Sequence, residues 1–195
     1  MTAIVQTGDP VLRKKAKDVP EKMFGSPELR TIIADMKKAL ASQEDGVALA
    51  APQIGIPLRI FVVARRVFEM PADPRAPKKE KASLQETSRA LETDVSQPLV
   101  YINPVLVKVS RTKRSMDEGC LSVRGYYGKV RRAEKASVEA LDEHGRRFSR
   151  GGSGLLAQIF QHETDHLNGI LFTDKTDDLY YMAPEKEPLT RRRHE

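Results

Sequence analysis

The stretch from Gly154 to Leu167 constrains this chain more than any other, because it reads as a helix with two different faces. Leu156, Phe160 and Leu167 recur at helical spacing on one stripe, which is expected to pack inward. Leu155, Ile159, His162 and His166 share the neighbouring stripe, with Gln158 beside them. Ser153 stands where an N-cap belongs, and Asn168-Gly169 supplies a left-handed C-terminal stop. A helix with one apolar stripe and one polar, ligand-bearing stripe fits half-burial beneath a pocket, and the rest of the fold must build around it.

The polar stripe carries His162-Glu163-Thr164-Asp165-His166. Residues four apart share a helical face, so both imidazoles can reach a single divalent cation. Glu163 is then placed to take a proton from the water that such a cation activates. The segment Asp117-Glu118-Gly119-Cys120-Leu121-Ser122-Val123 holds the only cysteine of the chain. Cys120 with His162 and His166 would complete a Cys-His-His site with one position open, the pattern of a catalytic centre. A carboxylate beyond the helix (Asp174, Asp177, Asp178 or Glu185) is the competing third ligand, and spacing leaves both choices open. His144 falls in a turn and His194 in the tail, so neither is expected to ligate. In a third segment, Gly46-Val47-Ala48-Leu49-Ala50-Ala51-Pro52-Gln53, small residues permit close approach of a substrate backbone, and Gln53 can donate to an oxyanion.

Bulk properties narrow the classes. At 195 residues the chain reads as one domain with a real core, soluble at 39% hydrophobic and 31% charged residues. No apolar run approaches the roughly 18 residues of a membrane span. Met1 to Pro10 has neither a signal-peptide core nor a transit-peptide pattern. A single cysteine excludes an intramolecular disulfide and fits the reducing cytoplasm. The net charge of +6 is concentrated locally, at Arg191 to Arg193 and at Lys78, Lys79 and Lys81. No aromatic residues interleave with these clusters, so specific nucleic-acid recognition is not expected.

Along the chain, Ser26 caps a helix that opens on Pro27 and Glu28, buries Leu29, Ile32, Ile33, Met36 and Leu40, and stops before Asp45-Gly46. Arg59 to Ala64 reads as a buried strand after the turn Gly55-Ile56-Pro57. From Val67 to Pro98 prolines and lysines replace large apolar residues, the composition of an exposed insertion, with helical turns expected within Lys81 to Leu91. Val100 to Asn103, Val105 to Val109 and Lys135 to Leu141 read as strands, the last turning at Asp142 to Gly145 into a hairpin partner that begins at Arg147-Phe148.

The three chemical segments, in this order, resemble the signature motifs of the peptide deformylase family: G-x-G-x-A-A-x-Q, E-G-C-x-S and H-E-x-D-H. The second stands intact as Glu118 to Ser122 and the third as His162 to His166. The likeness runs from Ile4-Val5-Gln6-Thr7-Gly8-Asp9-Pro10-Val11-Leu12 to about Phe172. It implies an α+β deformylase fold, with mixed or antiparallel sheets packed around the C-terminal metal-binding helix. The domain then spans residues 1–177, with 67–98 inserted, and residues 178–195 form a basic tail.

The resemblance further implies that Cys120, His162 and His166 bind one metal, Fe2+ in the cell, with Zn2+, Ni2+ or Co2+ able to replace it. Glu163 is implied as general base and then acid, with Gln53 and the Leu121 N–H as oxyanion donors. Glu118 and Arg132 pair behind the ligands. The first side chain of the substrate meets Leu155, Gln158 and Ile159, while its backbone follows Gly46, Val47, Ala48 and Gly119. The implied reaction is removal of the formyl group from formylmethionyl nascent peptides, with transient ribosome contact by the basic C-terminus as a hypothesis; Pro184 and Pro188 argue against one continuous docking helix. An HExxH zinc peptidase and a non-catalytic metal-binding relative are the rival readings. The chain departs from the family pattern at Ala48 (usually glycine), Arg124 (commonly proline) and Gln158 (usually apolar), all positions bearing on substrate preference rather than on the chemistry.

Overall fold

A computed structural model describes residues 2–70 and 99–182. Two antiparallel sheets, three α-helices and four short 3-10 helices make up the regular structure among these residues. The first sheet has the order β1-β2-β3-β6-β7, formed by Ala48–Ala50 (β1), Ile60–Val63 (β2), Leu99–Val109 (β3), Lys135–Leu141 (β6) and Arg147–Ser153 (β7). The second has the order β4-β5-β8, from Lys113–Gly119 (β4), Tyr126–Ala133 (β5) and Leu179–Tyr181 (β8). The α-helices are α1 (Pro27–Ala41), the single turn α2 (Arg66–Glu69) and α3 (Gly154–Leu167). No helix among the described residues is long and apolar enough to cross a membrane.

Strand β2 shows how the sheet carries two cores. All four of its residues are buried, which is why its sequence is a continuous apolar run. Successive side chains point to opposite faces. Phe61 and Val63 join the cluster built on Leu156, Ala157, Ile159 and Phe160 of α3. Ile60 and Val62 join Leu29, Ile33, Met36 and Leu40 of α1 on the other side. Stacked Phe61 and Tyr101 rings, 4.6 Å apart at their centroids, anchor the α3 side. The sheet is therefore sandwiched between the two helices that sequence periodicity identifies.

Local signals explain the start of α1 and the end of α3. The Ser26 hydroxyl accepts from the Leu29 N–H at 3.2 Å, with Pro27 at the first helical position. Ser153 occupies the N-cap position of α3, but its side chain makes no capping hydrogen bond. At the other end Gly169 takes φ +74°, and a Cβ there would lie 2.6 Å from the Arg13 carbonyl oxygen. Left-handed backbone costs a non-glycine residue about 1–2 kcal/mol, and Arg13 backbone has little room to retreat. Gly169→Ala is expected to destabilise the fold by about 2 kcal/mol or more, read as a lowered urea midpoint; an unchanged midpoint would contradict this packing.

Three readings of the sequence differ from the structure. Val100 to Asn103 and Val105 to Val109 belong to one strand, interrupted where Asn103 takes φ +50° before Pro104 and the register with β6 shifts. The Asn103 side chain fills that break, accepting from Val19 N–H at 2.8 Å and donating to its carbonyl at 2.9 Å. The insertion begins later than Val67, since Val67 is buried within α2; residues 71–98, including the expected turns in Lys81 to Leu91, lie outside the described residues. The tail likewise begins later than 178, because Leu179–Tyr181 pair with Tyr126–Gly128 of β5.

Candidate active site

α3 brings His162 and His166 to the end of β4, where Cys120 follows Gly119. The ligand atoms of Cys120, His162 and His166 all lie within 4.8 Å of one another, the one such cluster among the described residues. Cys120 Sγ is 3.2 Å from His166 Nε2. Metal–sulfur and metal–nitrogen bonds of about 2.3 and 2.0–2.1 Å at a tetrahedral ion separate the two donors by roughly 3.6 Å, so the spacing fits a shared cation. Asp174, the nearest competing carboxylate in sequence, instead pairs with Arg13 at 2.5 Å and accepts from the Leu171 N–H.

Electrostatics favour the same assignment. Burial raises the Cys120 thiol, but His166 and His162 outweigh it and bring its pKa down to about 5. His162 moves the opposite way: burial lowers it, while Cys120 and Glu118 outweigh burial and raise it. The two shifts favour a thiolate beside a protonated His162, and a cation bound there would take the place of that proton, since ligation requires deprotonated donors. One thiolate and two imidazoles suit a borderline divalent ion.

The ligands are held from behind. His162 Nδ1 lies 3.0 Å from Glu118 Oε2, which turns Nε2 towards the centre. Arg132 reaches Glu118 through two parallel bonds, Nε to Oε1 at 2.7 Å and Nη2 to Oε2 at 2.9 Å. Its Nη1 reaches Asp165 Oδ2 at 2.5 Å, and Lys175 Nζ reaches Asp165 Oδ1 at 2.7 Å. Burial would raise Glu118, yet Arg132 and His162 hold it near 2, ionised and ready to accept from His162. Asp165 and the fork geometry extend the Glu118–Arg132 pair into a buried network, closed at its edge by the exposed Lys175, that nothing in the local sequence marks.

Around this centre lies a cavity of about 280 Å³. Gly46, Val47, Ala48, Gln53, Glu118, Gly119, Cys120, Leu121, Leu155, Gln158, Ile159, His162 and Glu163 line it, so the residues picked out from sequence converge on one space. Arg132 and His166 stand behind its wall, both buried. Gln53 accepts from the Ala50 N–H through Oε1, which aims Nε2 at Ser122 Oγ (3.2 Å) and Cys120 Sγ (3.5 Å). Glu163 is 3% exposed, and its Oε2 has no hydrogen-bond partner. Burial raises its pKa against the pull of His162 and His166. A Cβ on Gly119 would meet the Tyr127 ring at 2.7 Å, so a larger residue there would have to displace that ring.

Sequence reasoning missed the rim. Asp45, Asp117, Arg124, Tyr126 and Tyr127 also line the cavity. Arg124 bridges from the β4–β5 turn to Asp45 at 3.3 Å and to the Gln43 side chain. Arg124 is visible in the sequence as a departure, but its reach across the mouth depends on the packing of two distant segments.

Comparison with known proteins places this geometry. The sequence model of the polypeptide deformylase family matches residues 1–181. A peptide deformylase of Dehalococcoides mccartyi is 37% identical over 187 residues, spanning 94% of this chain and 93% of that protein. The chloroplastic/mitochondrial peptide deformylase 1A of Arabidopsis thaliana is 41% identical, covering 88% of this chain and 60% of its own length. Among solved structures, a peptide deformylase of Synechococcus elongatus in complex with actinonin superposes with a TM-score of 0.69 at 35% identity, covering 91% of this chain and 79% of that one. That of Legionella pneumophila gives 0.68 at 36%, with 90% and 85% covered. A cysteine and two histidines converging beside a buried glutamate, in a fold shared with these enzymes, make this chain a metal-binding hydrolase that belongs to the polypeptide deformylase family.

Proposed function

We propose that this chain hydrolyses the N-formyl group of formylmethionyl nascent peptides, releasing formate, with Cys120, His162 and His166 as metal ligands and Glu163 as the proton carrier. The observation that carries the assignment is the meeting of a thiolate, two imidazoles and a buried carboxylate in one cavity. Cys120, His162 and His166 would hold a divalent cation, Fe2+ in the cell with Zn2+, Ni2+ or Co2+ as substitutes, and that ion would supply Lewis acidity towards the formyl carbonyl and the attacking water. Glu163 accepts the proton of that water as it adds to the formyl carbon, then delivers it to the departing amine nitrogen as the C–N bond breaks. Its buried, raised carboxyl is suited to both halves of the transfer.

Gln53 Nε2 and the Leu121 N–H donate to the developing oxyanion. The former is already aimed at Cys120, and the latter has no acceptor among the described residues. Substrate backbone follows Gly46, Val47 and Ala48 on one side and Gly119 on the other, with the first side chain against Leu155, Gln158 and Ile159. Glu118 and Arg132 position His162. The cytoplasm is the proposed compartment, on the single cysteine and its thiolate chemistry. Transient ribosome contact is proposed through Arg191, Arg192 and Arg193; unchanged co-sedimentation after removal of residues 191–195 would refute it.

Product analysis tests the reaction. Formyl-Met-Ala-Ser incubated with Fe2+-loaded protein is expected to give formate and intact Met-Ala-Ser. Cleavage between the residues of the tripeptide would identify a peptidase instead.

A further inference from the structure

Gln158 stands in α3 one turn before His162, at a spacing that puts it with Leu155 and Ile159 on the cavity face. It is only 8% exposed, so its amide must find partners or face an enclosed space. Its Nε2 donates to the Asp117 carbonyl at 2.9 Å and lies 3.4 Å from Glu118 Oε1. Both neighbours are acceptors, and both Glu118 oxygens already accept from the Arg132 fork. A flipped amide would set oxygen against two oxygens, so the orientation is fixed by the network behind it. No donor among the described residues reaches Oε1, and Oε1 is not among the sealed, unpartnered atoms of the interior.

We infer that Gln158 Oε1 is a fixed hydrogen-bond acceptor within the first-side-chain pocket, which therefore accepts formyl peptides whose first residue is unbranched and ends in an N–H or O–H donor. Glutamine matches methionine in length and presents such a donor. Leu155 and Ile159 supply the apolar flanks that either side chain needs. Methionine and norleucine leave Oε1 without a donor, whereas a terminal amide satisfies it. The inference rests on the deformylase reading and concerns which formylated residues that reaction accepts.

The test compares formyl-Met-Ala-Ser, formyl-Nle-Ala-Ser and formyl-Gln-Ala-Ser as substrates of the metal-loaded wild type and of Gln158→Leu. Taking the Gln/Nle ratio of kcat/KM within each protein cancels any general loss that the substitution causes. The ratio is expected to be about 3- to 10-fold higher in the wild type, the worth of one neutral hydrogen bond. Equal ratios in the two proteins would overturn the inference while leaving deformylation of formyl-Met intact; no turnover of formyl-Met would instead refute the reaction itself. If Gln158→Leu fails to fold or to hold metal, the wild type alone decides, through formyl-Gln-Ala-Ser against its isostere in which the amide NH2 is replaced by CH3. Preference for the amide supports the acceptor, and preference for the methyl ketone, or none, overturns it.

Discussion

Glu163→Gln is expected to lower kcat/KM for formate release by about 10²- to 10⁴-fold, the range that a positioned proton carrier contributes. The substitution keeps size and shape, so the packing of α3 on β6 and β1 should survive. It removes the one group in the cavity wall that combines burial, an unpartnered carboxylate oxygen and adjacency to a metal ligand. An amide cannot take up a proton at neutral pH, so the water loses its acceptor and the amine its donor. Cys120, His162 and His166 are untouched, and metal content by elemental analysis should equal that of the wild type. Undiminished turnover would remove Glu163 from proton transfer, and loss of metal would show that it acts on the centre instead.

Arg132→Met is expected to be the most destabilising single change in the network, by about 3–5 kcal/mol. Arg132 is 3% exposed and its guanidinium answers two carboxylates, Glu118 and Asp165. Lys175 still holds Asp165 in the variant, but Glu118, 4% exposed, loses both arms of its fork. A chain of this length shifts its Tm by roughly 2–4 °C per kcal/mol, so calorimetry should show a fall of about 6–20 °C. The sign of the pH dependence follows from Glu118, whose folded pKa is depressed from 4.5 to about 2. Its contribution is fully present above the unfolded value and is lost as pH falls through the folded one. The stability gap between wild type and variant, measured in chelator, should therefore be widest near neutrality and narrow towards pH 2. A gap that does not depend on pH would mean the loss comes from packing alone.

The parts of the fold legible in the sequence are those whose period or punctuation is apolar. α1 and α3 announce themselves through stripes and stops, β2 through its uninterrupted run, and the β6–β7 hairpin through Asp142 to Gly145, where Asp142 Oδ1 accepts from the His144 and Arg146 N–H groups. Strands β4 and β5 are silent for a physical reason. Their buried positions are occupied by Glu118, Gly128 and Arg132 besides Val130 and Ala133, so charge and glycine stand where an apolar alternation would be read. The same inversion hides the network behind the centre: Arg132 looks like a surface residue until Glu118 and Asp165 close on it from other elements. The metal-ligating set is legible because its chemistry is rare in local sequence, whereas the Arg124–Asp45 bridge joins segments 79 positions apart and leaves no local trace.

The Cys120–His162–His166 centre is expected to drive deformylation. Its most direct test is anaerobic titration of the metal-free protein with Fe2+ while formate release from formyl-Met-Ala-Ser is followed, with Cys120→Ala alongside. The rate should rise to a plateau at a single equivalent per chain, and Cys120→Ala should release no formate under the same conditions. Fully metallated wild type without turnover, or a Cys120→Ala protein as fast as the wild type, would contradict the account.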